Sequence, residues 1–280
     1  MPHARPATTR PRPTPPRRAG LWLAACAAVA LSAAAQAQDT LTVVTLNIWH
    51  NQGDWPARLD RIEDGLRALG PDVVLLQEVL QDEGLPNQAQ TIADRLGLGH
   101  VHFVSWDSAG SVKRYGNAIL SSRPLLDAET HRLPPADAYR LAASAAVEVG
   151  GRRVRLVTTH LHNPPTVGGR AARAMEIAHL LAVVEAGDGP VVIGGDFNAE
   201  PDWPEMGMLR AYRDLGGAGI TWGPPYAGAP ARRIDYLFDT DHPGLAVLDA
   251  GRALDRPTDG LYPSDHFAVY ARFLVRPPRP

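Results

Sequence analysis

The stretch 191-VVIGGDFNAEP-201 runs from an apolar strand straight into polar chemistry. Val191, Val192 and Ile193 read as a buried strand, Gly194 and Gly195 follow, and Asp196 and Asn198 then flank one aromatic, Phe197. In extended chain Asp196 and Asn198 face one side while Phe197 faces the core. Gly, Asp, Asn and Pro all favour turns, so one reading is a strand cap followed by a turn. The other is a metal or phosphate site. The motif alone leaves both open, and the elements around it choose between them.

Upstream of it, the strand 152-RRVRLVTTHL-161 ends near His160, and a helix over roughly 170–185 leads to Gly189-Pro190. An earlier segment repeats this order. The apolar strand 41-LTVVTLNIW-49 precedes 55-WPARLDRIEDGLRALG-70, with Leu59, Ile62, Leu66 and Leu69 at helical spacing, and then 71-PDVVLLQEV-79. Each segment is a crossover unit that sets neighbouring strands parallel, with both polar ends at one edge. Ligands of such units bind beyond the carboxyl ends of the strands. Asn47, Glu78, His160 and Asp196 therefore fall where a site is expected.

The remaining segments are hairpin-like: 117-NAILSS-122 and 141-LAASAAVEV-149, then 232-RRIDYLF-238, 245-LAVLDAG-251 and 266-HFAVYARFLV-275. Crossovers combined with hairpins predict an α/β fold of mixed sheets packed together with helices outside. No linker or low-complexity tract divides residues 38–280, which read as a single domain.

Residues 1–37 read differently. The first eighteen carry five arginines and no acid, a short alanine-rich apolar run follows, and Ala35-Gln36-Ala37 closes it. This is the pattern of a secretory signal peptide cleaved near Ala37, so a secreted or periplasmic protein is expected. The run is too short for a membrane span, and no transmembrane helix is expected in the mature chain. Leu23-Ala24-Ala25-Cys26 loosely resembles a lipoprotein cleavage box, but the apolar run continues past Cys26, so soluble export is preferred. Arg17-Arg18 hints at twin-arginine export, and the residues after it fit poorly. Loss of the five arginines leaves 23 bases against 30 acids, a mature charge of about −7. Lys113 is the only lysine. A strong basic footprint for duplex nucleic acid is therefore not expected. Cys26 is the only cysteine, so the mature chain has no disulfide or thiol chemistry. A monomer is expected.

Glu78 is the most conspicuous acid. It follows four apolar residues and Gln77 in a strand expected to be buried, and a buried carboxylate needs a partner. A hard divalent cation would serve, as would an arginine at the strand edge. Asn47 holds the matching position in the first strand and offers a neutral oxygen. Asp235 lies inside an apolar strand, and Asp265 and His266 are adjacent just before another. A carboxylate on one imidazole nitrogen fixes the tautomer and raises the basicity of the other. Asp235 is the candidate orienter of His266, leaving Asp265 for metal. Neighbours in a regular strand point oppositely, so Asp265 and His266 share a pocket only if the backbone is irregular, as Pro263-Ser264 permits. The alternative for Ser-Asp-His is an ordinary cap. His160 ends its strand as a structural or a catalytic histidine, and His162 shares its face by period two without an assigned role.

The ordered series N, QE, YGNAILS, TTHL, GDFNAEP, RIDY and SDH resembles the endonuclease/exonuclease/phosphatase superfamily, the DNase I-like metal-dependent enzymes, from Leu41 to about Phe273. The resemblance implies a four-layer α/β/β/α sandwich of two mixed sheets with helices outside. It implies hydrolysis of a phosphodiester by in-line attack of water on phosphorus with Mg²⁺, or else Mn²⁺ or Ca²⁺, as cofactor. It casts Glu78 as the main metal ligand with Asn47 and Asp265 beside it, and Asp196 as the residue that positions or deprotonates water. Asn198 becomes a phosphate contact, His266 held by Asp235 a base or electrostatic partner, and His160 a stabiliser of the transition state. Arg114, Tyr115 and Asn117 lie where the family places a substrate loop.

The partner implied is a phosphodiester substrate, nucleic acid or phospholipid headgroup. A secreted nuclease or general phosphodiesterase is the first reading, and a lipid phosphodiesterase of sphingomyelinase type is the alternative. No aromatic docking hairpin of the latter is visible, although Trp203, Trp222 and Tyr226 could form an apolar rim or simply pack as loop aromatics. Inositol-phosphate phosphatases usually show a tryptophan–cysteine–aspartate–arginine run where Arg233-Ile234-Asp235-Tyr236 stands. A catalytically inactive binding module would have lost acids or histidines, and all are present.

Overall fold

The computed structural model describes residues 39–187, 189–223 and 231–278. The expected signal peptide and Tyr226 lie outside the described residues. The chain opens with β1 (Thr40–Asn47), α1 (Trp55–Leu69), β2 (Val73–Gln81) and α2 (Gln88–Leu96). Next come β3 (His100–Ser105), β4 (Arg114–Ser121), β5 (Leu126–Arg132) and β6 (Leu141–Val149). The second crossover follows as β7 (Arg152–His160), α3 (Val167–Glu185) and β8 (Val191–Asp196). Four strands close the chain: β9 (Arg213–Asp214), β10 (Asp235–Asp239), β11 (Leu245–Ala253) and β12 (Ala268–Val275).

Two six-stranded sheets form, in the orders β11-β12-β1-β2-β4-β3 and β5-β6-β7-β8-β10-β9. At the centre of each lies one parallel pair, β1 with β2 and β7 with β8, flanked by antiparallel neighbours. The mixed sheets expected from crossovers and hairpins are therefore what forms, and the two crossover units occupy equivalent places. Three clusters of side chains hold the layers together. Leu41, Val43, Leu75 and Ile119 of the first sheet meet Ala143, Leu156, Val192 and Leu237 of the second between the sheets. Leu59, Ile62 and Leu66 of α1 and Ile92 of α2 cover the outer face of the first sheet against Val44, Leu46 and Val74. Ile177, Leu180 and Val184 of α3 cover the second against Val157, Ile193 and Tyr236. Four layers result, α/β/β/α.

Local chemistry sets the element ends. Asp54 accepts a hydrogen bond from the Ala57 N–H, Pro56 enters the first turn of α1, and Gly70 ends the helix in the left-handed region at φ 59°. Gly194 lacks a side chain because a Cβ there would lie 2.7 Å from Leu75 Cδ1 in the facing sheet. A Cβ on Gly195 would lie 2.0 Å from the Thr159 carbonyl oxygen of β7. The two glycines thus bring a neighbouring sheet and a neighbouring strand close.

Candidate active site

The parallel registers pair Asn47 with Gln77 and His160 with Asp196, so both crossover units end level. Asn47 Nδ2 donates across the two sheets to Asp196 Oδ2 at 3.1 Å and, within its own sheet, to Glu78 Oε1 at 3.2 Å. A cavity of about 430 Å³ opens at this end. It is lined by Trp49, His50, Glu78, His160, Asn163, Pro165, Asp196, Asn198, Trp222, Arg232, Ile234, Asp265 and His266. Six of the expected site residues face it directly, and Asp235 stands just behind. A cavity of about 360 Å³ on the strands β5 to β7 is lined by Asp127, Glu129, Arg153 and Arg155 with three small residues. There Arg153 pairs with Asp127, and no comparable set of acids and imidazoles gathers.

Several functional side chains owe their direction to local irregularities. The β2–β4 register shifts between Leu76 and Val79, a β-bulge, and Glu78 within it has φ 59°. The bulge re-aims Glu78 out of the strand alternation, so it is half-buried at the cavity rather than enclosed in the sheet. Asn198 has φ 52°, and its N–H donates to Asp196 Oδ1 at 2.9 Å, closing a turn that fixes the carboxylate. Trp49 and His50 have φ 55° and 30°. Such conformations are strained for these residues, and four of the nine described non-glycine residues at positive φ line this one cavity. Before β12 the backbone is irregular, as the Asp265-His266 pair required. Ser264 Oγ donates to the Asn47 carbonyl at 2.7 Å and accepts from the His266 N–H at 3.2 Å.

His266 Nδ1 meets both Asp235 oxygens at 3.0 and 2.9 Å. Thr221 Oγ1 in turn accepts from the backbone N–H groups of Ile234 and Asp235. The free Nε2 of His266 faces Asp196 Oδ2 at 3.8 Å and Asp265 Oδ1 at 3.9 Å. His160 Nε2 lies 3.5 Å from the same Asp196 oxygen. Burial disfavours the His266 imidazolium, but the contact with Asp235 and the nearby Asp196 and Asp265 outweigh it and hold the pKa at about 10. Burial drives His160 well below the usual histidine value, and the positive Arg140 and His266 add to this, so it is neutral. Burial raises Asp196 to about 7, with Asp235 pushing the same way.

The donor set fits a divalent cation. Glu78, Asp196 and Asp265 open on the cavity, and among the described residues none of them, nor Asp235, pairs with an arginine or lysine. Among the described residues, the arginine partner weighed for Glu78 is therefore not present. Asp196, Asp235 and His266 lie within 4.8 Å of one another with metal-binding atoms, but His266 Nδ1 is already engaged by Asp235. Glu78, with Asp265 across the cavity, is the better-placed start of a cation site. Asn47 presents its NH₂ to the acids and its oxygen to the Trp49 N–H at 3.0 Å, so in this arrangement it donates where a ligand role was expected.

The three residues expected near substrate separate. Tyr115 and Asn117 share a face of β4 and line a narrow cleft with Trp106, Tyr139, Arg140 and His160, adjoining the main cavity through His160. Burial and the nearby Glu78 charge push the Tyr115 hydroxyl pKa up. Asn117 Nδ2 donates to the Leu141 carbonyl at 3.0 Å. Arg114 is not brought to the site. Strand alternation puts it on the opposite face, where its guanidinium lies over Phe103 at 4.7 Å. Nor does Trp203 form a rim, since Arg170, Arg173 and Arg232 all pack on its ring within 5.0 Å.

Sequence reasoning passed over Trp49, His50, Asn163, Arg140, Arg232 and the buried Arg58. Arg58 left a signal: it falls on the apolar face of α1 with Trp55, Leu59 and Ile62. Its five N–H donors reach the carbonyls of Gln52, Ile48, Pro263, Trp49 and His50. One guanidinium therefore braces both loops that carry the Glu78 side of the cavity. The strand period assumed for His162 ends at His160. His162 is instead tied through its backbone to Glu176 and Arg173.

Fold and site together define a hydrolase of phosphoric esters on a DNase I-like sandwich. The chain belongs to the Endonuclease/Exonuclease/phosphatase family, whose model matches residues 44–266. This family is generally dependent on a divalent metal. Among solved structures, an endonuclease/exonuclease/phosphatase from Beutenbergia cavernae DSM 12333 is 25% identical with a TM-score of 0.67, over 85% of this chain and 72% of that one. The human Nocturnin catalytic domain with bound sulfate is 23% identical with a TM-score of 0.66, over 84% and 94%. D. rerio TDP2 complexed with a single-strand DNA product is 20% identical with a TM-score of 0.68, over 84% and 98%. Comparison with curated proteins gave no match.

Proposed function

We propose that the protein is an exported, Mg²⁺-dependent phosphodiester hydrolase, a nuclease or general phosphodiesterase. The observation that carries this reading is the gathering of Glu78, His160, Asp196, Asn198, Asp265 and His266 on one cavity, with Asp235 behind His266. A cation held by Glu78 and Asp265 would offset charge developing on the phosphoryl oxygens. Asp196 orients the attacking water and takes its proton, fixed by the Asn47 amide and the Asn198 N–H. Asn198 borders the cavity as a phosphate contact through the amide hydrogen left over when its Nδ2 donates to the Leu161 carbonyl at 3.0 Å. His160, neutral, donates to a phosphoryl oxygen, and His266, held by Asp235, supplies a positive charge opposite it. Tyr115 and Asn117 flank the bound substrate.

Export rests on the basic, apolar and Ala-x-Ala pattern of residues 1–37. No helix among the described residues is long and apolar enough to cross a membrane. N-terminal sequencing of the exported protein is expected to start near Gln38.

The test is hydrolysis by the mature protein of plasmid DNA, RNA, sphingomyelin, a diester reporter and a monoester reporter, with Mg²⁺ and with chelator. At least one diester is cleaved, and Glu78→Ala and His266→Ala each lower kcat by at least about 10²-fold. Full activity in excess chelator, or in both variants, would sink the metal-hydrolase reading. Cleavage of sphingomyelin alone would install the lipid phosphodiesterase in its place.

A further inference from the structure

His50 is a cavity imidazole that the roles above leave unused. Its Nε2 lies 3.8 Å from Glu78 Oε2. Its Nδ1 lies 3.0 Å from Asn51 Oδ1, an acceptor suited to an Nδ1–H, and in that tautomer the Nε2 lone pair is turned towards Glu78. The ring packs edge-on against Tyr115, with centroids 6.1 Å apart. Its backbone is held at φ 30°, with its carbonyl bonded to Arg58 Nη2 at 2.8 Å. A bent, braced backbone that presents one nitrogen lone pair beside a carboxylate is how a ligand histidine is built. Two donors each about 2.0–2.2 Å from one ion stand up to about 4.4 Å apart, and the His50–Glu78 separation of 3.8 Å falls within that.

We propose that His50 Nε2 is a ligand of the divalent cation beside Glu78, and that this nitrogen strengthens binding of a transition ion such as Mn²⁺ more than that of Mg²⁺ or Ca²⁺. The inference rests on the metal-dependent reading above and deepens it. Carboxylate and carbonyl oxygens suit Mg²⁺, Ca²⁺ and Mn²⁺ alike, whereas imidazole favours the transition series. The competing account is an imidazolium–carboxylate pair between His50 and Glu78 with no part in cation binding. Metal binding separates the two.

Purified protein is titrated without substrate, with Mn²⁺ alone and with Mg²⁺ alone, by calorimetry, and bound Mn²⁺ is examined by pulsed EPR. The wild type shows nitrogen coupling to Mn²⁺. His50→Ala loses that coupling and weakens Mn²⁺ binding by about tenfold or more, with a smaller effect on Mg²⁺. His50→Gln, which offers an oxygen, keeps Mg²⁺ binding without restoring nitrogen coupling. It also serves as the folded comparison if the alanine variant has a lowered Tm. Nitrogen coupling absent from the wild type or persisting in both variants overturns the inference, as does an unchanged Mn²⁺ to Mg²⁺ ratio. Metal-dependent diester cleavage without nitrogen coupling would defeat this inference alone. Failure to bind either ion would defeat the metal-dependent reading with it.

Discussion

Asp235 and His266 show how much one contact decides. Both are buried, and the imidazole keeps its proton because the carboxylate charge outweighs the cost of burial. Asp235→Asn preserves shape while removing that charge. It is expected to lower kcat on a diester reporter by about 10²-fold or more. It is also expected to lower the His266 pKa, read by NMR of the ring protons, with the fold intact. An unchanged kcat would mean that Asp235 only fills space. Such a pairing was readable from RIDY and SDH, because residue types reveal who can pair. The αL backbone of Glu78 was not readable, since nothing in VVLLQEV marks a bulge.

At the scale of elements, α1 and α3 do more than cover the sheets. Each sends a buried arginine back to the loop it follows, Arg58 to residues 48–52 and Arg173 to the carbonyls of His162 and Pro164. Arg173 also binds Glu205, and Glu176 one turn on accepts the His162 N–H at 2.9 Å. Burial raises the Glu176 pKa to about 7 from an ordinary 4.5, although the His162 N–H and Arg173 pull it down. The folded protein therefore keeps a proton that the unfolded chain releases near 4.5. Stability contributed by this group is full below that pH and is lost as pH rises towards about 7. Glu176→Gln removes the titration. Its stability relative to wild type is expected to climb by up to ~3 kcal/mol across that window, measured by urea unfolding at several pH values. A difference independent of pH would refute the assignment. The helices were legible by period, yet the polar pair on the inner face of α3 is silent until the loop it holds is known. Elements α2, β3 and β5 escaped notice because they are short or solvent-facing, and β5 in particular has no buried residue to set a period.

At the scale of the molecule, the site exists because two sheets approach closely. Gln77 spans the gap, donating to Thr45 Oγ1 at 3.1 Å and Thr158 Oγ1 at 3.0 Å, and Gly194 leaves room for Leu75 and Leu237. Gly194→Val would press those side chains apart. It is expected to cost about 1–3 kcal/mol by thermal or urea unfolding. It should also depress kcat, because Asn47 and Asp196 belong to different sheets and are joined only across this gap. A variant as active and stable as wild type would show that the sheets need no glycine there.

By itself the sequence determined the layers, the two crossover units and the acids and histidines of the site other than His50. Apolar period and residue type are local properties, and the strand ends at Asn47, Glu78, His160 and Asp196 announce themselves. Tertiary structure alone decided which groups meet. It turned Glu78 out through a bulge, placed Arg114 on the wrong face of β4, brought His50 beside Glu78 and gave Asn47 two carboxylates to bridge. Those outcomes depend on register, backbone sign and the distance between sheets, which arise only when segments far apart in the chain pack together. The glycines of VVIGGDFNAEP make the same point: they lie within β8, and their smallness answers to Leu75 and Thr159.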